Sequence, residues 1–188
     1  MDQVRTIAAL AAVALVAGCA TGPTPPAPIF THSNFDPASV VHIHDEGPNT
    51  VRGQVFLRQS GGGVVTCAGR EVRLIPAGEY AEERMLNLYG TVSSPARALP
   101  GSRACGALAC LGPIQPRRLD TPDSRYVDHT RKAVCDAQGK FVFEKLADGQ
   151  YFVTTSVSWV VAQELQGGAV MAPVKLRGGE TVEIIISP

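Results

Sequence analysis

Hydrophobic and polar residues alternate along most of the chain between residues 51 and 187. A repeat of two residues is typical of β-strands that bury one face, and turn-forming residues separate the alternating segments. The pattern predicts about seven strands, the number expected of a β-sandwich. One strand is expected over residues 126–135, and the longest over residues 150–161. Gly167-Gly168 is expected to end this strand region.

The clearest hairpin of this pattern lies between residues 139 and 151. Its aromatic residues alternate with the outward positions of a strand, so both rings are expected to face the core. A turn over residues 147–149 then reverses the chain, and both glycines of the hairpin are expected to adopt a positive φ. The tyrosine is expected to bury its ring while its hydroxyl bonds the backbone. The residues on which this hairpin depends are Gly139, Phe141, Phe143, Leu146, Gly149 and Tyr151.

A helical repeat interrupts the strands at Ala81, Met85, Leu88 and Tyr89. Their spacing of i, i+4, i+7 and i+8 predicts a short helix that packs on a sheet. The following residues, 91–125, are rich in proline and glycine and show no regular pattern. A loop of this length in a compact domain is expected to be functional or poorly ordered.

The first 18 residues have the pattern of a targeting segment, with Arg5 followed by 12 apolar residues. That run is too short for a membrane-spanning helix, which needs about 20 residues. It ends in Ala17-Gly18-Cys19, which resembles the lipobox of bacterial lipoproteins. The resemblance implies cleavage before Cys19 and acylation of its sulfur and its new amino group. Several acyl chains anchor a protein stably where a single chain does not.

Residues 19–50 are expected to form a proline-rich tether, and residues 51–188 the folded domain. Proline-rich chains favour an extended conformation, which would hold the domain away from the bilayer. In Gram-negative lipoproteins an aspartate after the lipidated cysteine signals retention in the inner membrane. Ala20 stands there in this chain, which favours the outer membrane, with the domain in the periplasm or at the cell surface.

Composition narrows the possible functions. Lysine plus arginine number 17 and aspartate plus glutamate also number 17, so no excess of positive charge predicts a nucleic-acid partner. Hydrophobic residues make up 45% of the chain, which excludes a disordered protein. No phosphate-binding loop, dinucleotide motif or nucleophile elbow occurs. We therefore predict no catalytic residue and no cofactor.

Four cysteines remain after Cys19, an even number for an oxidising compartment. Cys67 precedes one strand and Cys135 ends another, so a bridge across the sandwich is expected between them. Cys105 and Cys110 are close in sequence and would close the long loop. This is one of three possible pairings. A zinc site is the alternative, but the cysteine spacings do not match one.

The histidines offer a second alternative. His42-Ile43-His44 would place two imidazoles on one face of a strand, a geometry that metals accept. Together with His129 they are the candidate ligands of a metal-dependent or hydrolytic enzyme. Because no third convergent ligand is evident, we predict no metal site.

Three pieces of the pattern together resemble the carboxypeptidase regulatory-like domains. They are Val51-x-Gly-x-Val55, Val72-x-Leu-x-Pro76 and the hairpin from Gly139 to Val153. The resemblance covers roughly residues 51–188 and implies a seven-stranded, prealbumin-like Greek-key sandwich, here with one short helix and a long loop. Cys67-Ala-Gly69 also resembles a feature of bacterial lipoproteins that carry this domain.

The expected function is therefore a non-enzymatic binding or structural role at the outer membrane. The loop over residues 91–125 is the expected contact surface for an envelope protein or a glycan, since sandwiches display function on their loops. A carbohydrate-binding module is a further alternative, although the chain offers only one Trp and four Tyr for stacking on sugars.

Overall fold

The computed structural model describes residues 27–99 and 117–188. Four features predicted above lie outside these residues: the signal segment over residues 1–18, the lipidation site Cys19, and the cysteines Cys105 and Cys110. In the part of the chain that is described, no helix is long and apolar enough to cross a membrane.

Strands dominate the described residues, which confirms the all-β class. Nine strands occur in the described ranges: β1 (Asn49–Arg58), β2 (Val64–Thr66), β3 (Glu71–Pro76), β4 (Ala96–Arg97), β5 (Arg131–Val134), β6 (Lys140–Leu146), β7 (Gly149–Val161), β8 (Glu164–Leu176) and β9 (Thr181–Ile186). The helices are a 3-10 helix (Pro37–His44), α1 (Glu79–Tyr89) and α2 (Ser124–Asp128). The count exceeds the expected seven partly because it includes two very short strands, β2 with three residues and β4 with two.

The strands form two sheets. In the four-stranded sheet, β1 pairs with β2 and β6 in antiparallel fashion and with β9 in parallel. The second sheet has the order β4-β8-β7-β3-β5, and all its pairs are antiparallel. The two sheets enclose the main core, to which Val51 and Val55 of one sheet and Leu74 and Val153 of the other contribute.

A second core covers the opposite face of the five-stranded sheet. Phe152 and Met171 point into it from the sheet, and Ala81, Met85 and Tyr89 point into it from α1. The helical repeat seen in the sequence is therefore confirmed as core packing. The fold has three layers, which are the four-stranded sheet, the five-stranded sheet and a helical layer.

The aromatic hairpin is built as predicted, with help from a β-bulge. Phe141, Phe143 and Leu146 are all buried in the main core. Strict alternation would turn Leu146 outward, but the register between β1 and β6 shifts by one residue before it. Lys145 adopts φ 55° there, so the extra residue brings Leu146 back to the inner face.

The disulfide between Cys67 and Cys135 joins the two sheets, as the sequence predicted. Cys67 follows β2 and Cys135 follows β5, and their Cα atoms are 5.8 Å apart. The bridge spans 68 residues, a length worth about 4 kcal/mol in the chain-entropy model.

The predicted tether over residues 19–50 is wrong for its described part. Residues 27–36, here called the N-terminal strap, lie along the helical layer, and the 3-10 helix continues the contact. Ile29 pairs with Leu119, while Phe35, Val40 and Ile43 are buried. Apolar side chains that bury themselves hold this segment to the domain.

Two neighbouring residues of α1 fix the strap. The Glu83 carboxylate accepts hydrogen bonds from the amides of His32 and Ser33, both at 2.8 Å, and from the Ser33 hydroxyl at 2.6 Å. The buried Arg84 guanidinium donates to Thr31 and to Asp120, both at 2.8 Å. It therefore ties the strap to the chain beyond the loop.

Two predicted strand features differ from the structure. Residues 126–135 form α2 and then β5, because Asp123 caps a helical turn by accepting from the Arg125 amide at 2.9 Å. Gly167-Gly168 does not break the strand region, since β8 runs through both residues. The chain reverses earlier, at Ala162-Gln163, where both residues have a positive φ.

We expect the strap to loosen in acid. Hydrogen bonds from the Ser33 hydroxyl and the His32 and Ser33 amides lower the pKa of Glu83 from 4.5 to about 2. A carboxyl with a lowered pKa stabilises the fold above pH 4.5 and loses this effect as the pH falls towards 2. The variant E83Q should therefore unfold at a lower temperature than the parent at neutral pH, and the difference should shrink between pH 4.5 and 2. A constant difference in thermal melts across that range would contradict this assignment.

Candidate functional site

The predicted histidine pair does not lie on a strand. His42 and His44 belong to the 3-10 helix, where two residues of separation turn the chain by about 240°. They therefore point in different directions. His42 packs edge-on against Tyr151, with ring centroids 5.5 Å apart, whereas His44 packs against His129, with centroids 4.8 Å apart.

Only two of the three candidate metal ligands thus come together. His129 Nδ1 lies 2.7 Å from the carbonyl oxygen of Arg125 and donates to it, which leaves Nε2 as its free nitrogen. Within residues 27–99 and 117–188, no group of three or more His, Cys, Asp or Glu side chains could hold a metal ion. The geometry required by the metal-enzyme alternative is therefore not formed by the three histidines.

Glycine is required at the two hairpin positions, 139 and 149, for different structural reasons. Gly139 has φ 74°, as expected of a turn. The prediction of a positive φ is wrong for Gly149, which is instead required by close packing. A Cβ atom there would lie 2.9 Å from His42 Nε2 and 3.2 Å from the Tyr151 hydroxyl.

Tyr151 closes the hairpin as predicted. Its side chain is buried, and its hydroxyl donates to the carbonyl oxygen of Ala147 at 2.9 Å. Burial raises the pKa of Tyr151 to about 12, so the phenol stays protonated and keeps this bond. The Nε2 atom of His42 beside it is buried and has no hydrogen-bond partner among the described residues.

The predicted contact loop is held at both described ends. The Ala98 amide donates to the Ala169 carbonyl at 2.8 Å, and the Leu99 amide donates to the Leu88 carbonyl at 2.9 Å. On the far side of the loop, Asp120 accepts a hydrogen bond from the Arg84 guanidinium. Burial would raise the pKa of Asp120, but hydrogen bonds from Thr31 and Arg84 outweigh it and lower the pKa. The centre of the loop, residues 100–116, lies outside the residues that the structure describes.

A large concave surface, here called the outer face, lies on the exposed side of the four-stranded sheet. It encloses about 840 Å³, within the range of small-molecule sites. β1, β6 and β9 each contribute alternate outward side chains, and the end of β5 forms one wall. The outward residues are Arg52, Gln54, Lys140, Val142, Glu144, Glu183 and Ile185, with Val134 on the wall.

The outer face is chemically mixed and largely unpaired. The side chains of Arg52, Glu144 and Glu183 form no hydrogen bond or ion pair with another residue of the described chain. Between them lie apolar side chains that are unusually exposed, with Val142 at 44% and Ile185 at 66%. Such a surface can offer several donors and acceptors together with apolar contact area.

Sequence reasoning missed the outer face, although part of its signal was visible. The alternation marks Arg52, Glu144 and Glu183 as outward positions of their strands. It does not show that β9 returns beside β1, which is a parallel pairing between strands more than 120 residues apart. The site exists only through that pairing.

Comparison with known proteins shows the fold. No protein-family model and no curated protein matches the chain. Among solved structures, the chain is similar to a protein from Pseudomonas aeruginosa described as a "putative carbohydrate binding protein". The identity is 17% and the TM-score 0.62, over 83% of this chain and 99% of that one. A likeness at this identity establishes a shared architecture and leaves the function of this chain to be argued from its own residues.

We expect Gly149→Ala to destabilise the protein by about 1 to 3 kcal/mol, because the new methyl group would crowd His42 and Tyr151. His42→Ala in the same chain should relieve most of this cost, so a double-mutant cycle measured by chemical denaturation should show coupling. Gly61→Ala is the matched control, since no atom lies within 4 Å of its Cβ position. Additive effects of the two substitutions would contradict the packing explanation.

Proposed function

We propose that this protein is a non-enzymatic binding module for carbohydrate, held at the outer membrane by a lipid on Cys19. The observation that carries the proposal is the outer face, with unpaired charged side chains beside exposed apolar ones. Sugars present hydroxyl groups that both donate and accept hydrogen bonds, and C–H groups that pack on apolar surface. The carboxylates of Glu144 and Glu183 would accept from hydroxyls, and Arg52 would donate to them.

Two likenesses support this ligand class. The solved structure with a similar fold is described as a "putative carbohydrate binding protein". The hairpin over residues 139–153 resembles the carboxypeptidase regulatory-like domains, whose relatives include carbohydrate-binding folds. Both likenesses are to the fold, so the outer-face residues themselves must be tested.

The anchor and the outer face fit together geometrically. The strap enters along the helical layer, and the outer face lies on the far side of both sheets from it. Ala27, where the strap begins, follows Cys19 by eight positions, which an extended chain spans in about 28 Å. A tether reaching to residue 51 would span about 100 Å. With a lipid on Cys19, docking of the strap would keep the domain near the bilayer, with its outer face away from the point of attachment.

Binding to an oligosaccharide array should identify a ligand for the full-length chain, and R52A/E183A should weaken its affinity by about tenfold or more. Both residues are outward and unpaired, so their loss should leave the fold intact. K175A/E164A removes the same two charge types from exposed positions of the five-stranded sheet and should bind like the parent. Absence of any glycan ligand, or equal affinity of both double variants, would refute the proposed site.

The anchor can be tested separately. We expect the parent chain to incorporate an alkyne-labelled fatty acid in bacterial cells and to fractionate with outer membranes. Cys19→Ala should abolish the labelling and release the chain from that fraction, because several acyl chains supply the membrane affinity. Unchanged labelling or unchanged fractionation of this variant would exclude the lipid anchor.

A further inference from the structure

A second and smaller concavity lies in the helical layer, where the strap, the 3-10 helix, α1 and α2 meet. Its volume is about 140 Å³, and none of its lining residues belongs to the outer face. Phe35, Tyr80 and Tyr126 form its walls, and each is less than one-tenth exposed. The polar side chains that line it are Asn34, Asp36, Ser39 and Glu79.

The aromatic walls are fixed without any ligand. The three rings meet edge to face, with centroids 5.6 Å apart for Phe35 and Tyr80, 5.8 Å for Phe35 and Tyr126, and 5.1 Å for Tyr80 and Tyr126. The Arg84 guanidinium lies 5.5 Å from the Tyr80 centroid and 5.9 Å from that of Tyr126. Because these side chains are already ordered, binding of a ligand would not require the free energy that ordering them costs.

The polar lining offers acceptors without partners. The Asn34 amide group and the Glu79 carboxylate make no hydrogen bond with another described residue. One oxygen of Asp36 accepts from the Ala38 amide at 3.0 Å, which leaves the other oxygen open.

Donors without partners line the same pocket. Gly78, at the cap of α1, has no side chain to cap the helix, and the first bond into the helix comes from the Glu82 amide. The amides of Glu79, Tyr80 and Ala81 therefore make no hydrogen bond within the described chain. Acceptors and donors therefore line the same aromatic pocket.

We infer that this pocket binds a single sugar ring, such as the terminal residue of a glycan. A cavity of about 150 Å³ accommodates one benzene ring, so a volume of about 140 Å³ can take the ring of one sugar. The hydroxyl groups of that sugar would extend to the exposed polar side chains at the rim. Hydroxyl groups would donate to Asp36 and Glu79 and accept from the open amides of α1, while the C–H groups pack on the aromatic walls. A cationic amine would satisfy the carboxylates but would leave the amides without an acceptor.

The ligand class rests on the carbohydrate proposal above, whereas the site is separate from the outer face. It also depends on the strap, because Asn34, Phe35 and Asp36 belong to that segment. The pocket is therefore complete only when the strap is docked by Glu83 and Arg84.

Titration of the full-length chain with the methyl glycosides of glucose, galactose and N-acetylglucosamine, followed by amide chemical shifts, tests the inference. One glycoside should bind and shift the amides of residues 79–81. D36N/E79Q should weaken its binding by about tenfold or more, since charge-assisted acceptors are replaced by neutral ones. The amide oxygen that D36N introduces would still cap the 3-10 helix, so the fold should persist.

E82Q is the matched control, because Glu82 lies in the same turn of α1 but does not line the pocket. It should bind the glycoside like the parent, and so should R52A/E183A. Glycoside binding that R52A/E183A leaves intact supports the pocket even if the outer face binds no glycan. Absence of binding by all three glycosides, equal affinity of D36N/E79Q and E82Q, or stronger binding of tetramethylammonium than of any glycoside would overturn the inference.

Discussion

The structure depends on one sheet that is buried on both faces. In β7, Tyr151 and Val153 point into the core between the two sheets, while Phe152 between them points into the helical layer. A sheet sealed on one side only would leave Phe152 and Met171 in water, at a cost of about 1.5 to 3 kcal/mol for each side chain. Helix α1 and the strap therefore belong to the folded unit, and the disulfide joins the two sheets at one end.

Among the residues that the structure describes, one buried cation, Arg84, organises the helical layer. Arg84 is only 6% exposed, and a charge buried to this degree must be paired. Its partners are Thr31, which precedes α1 in the sequence, and Asp120, which follows it. Because the strap is held in this way, Asn34, Phe35 and Asp36 lie beside α1 and complete the small pocket. The small pocket is thus a consequence of one contact network.

The sequence predicted local features best. The two-residue repeat of Phe141 and Phe143 and the helical stripe of α1 both appear in the structure. The pairing of Cys67 with Cys135, which is not local, was also predicted correctly, because few cysteines were available to pair. The predictions from sequence were wrong where contacts between distant residues override the structure that the local pattern favours. The strap looks like a proline-rich spacer, and only the docking of Phe35 shows otherwise. Gly149 reads as a turn glycine, yet the space beside it is occupied by His42, which comes from more than 100 residues earlier in the chain.

By itself, the sequence determined the class of the fold, its main hairpin, its helix and the expectation of a lipid anchor, because each is written in residues close to one another. Only the tertiary structure decided which side chains share a surface. The outer face needs β9 beside β1, and the small pocket needs the strap beside α1. Both arise from pairings over long sequence separations, whose partners are selected by the packing of the whole domain and leave no periodic signal in the chain.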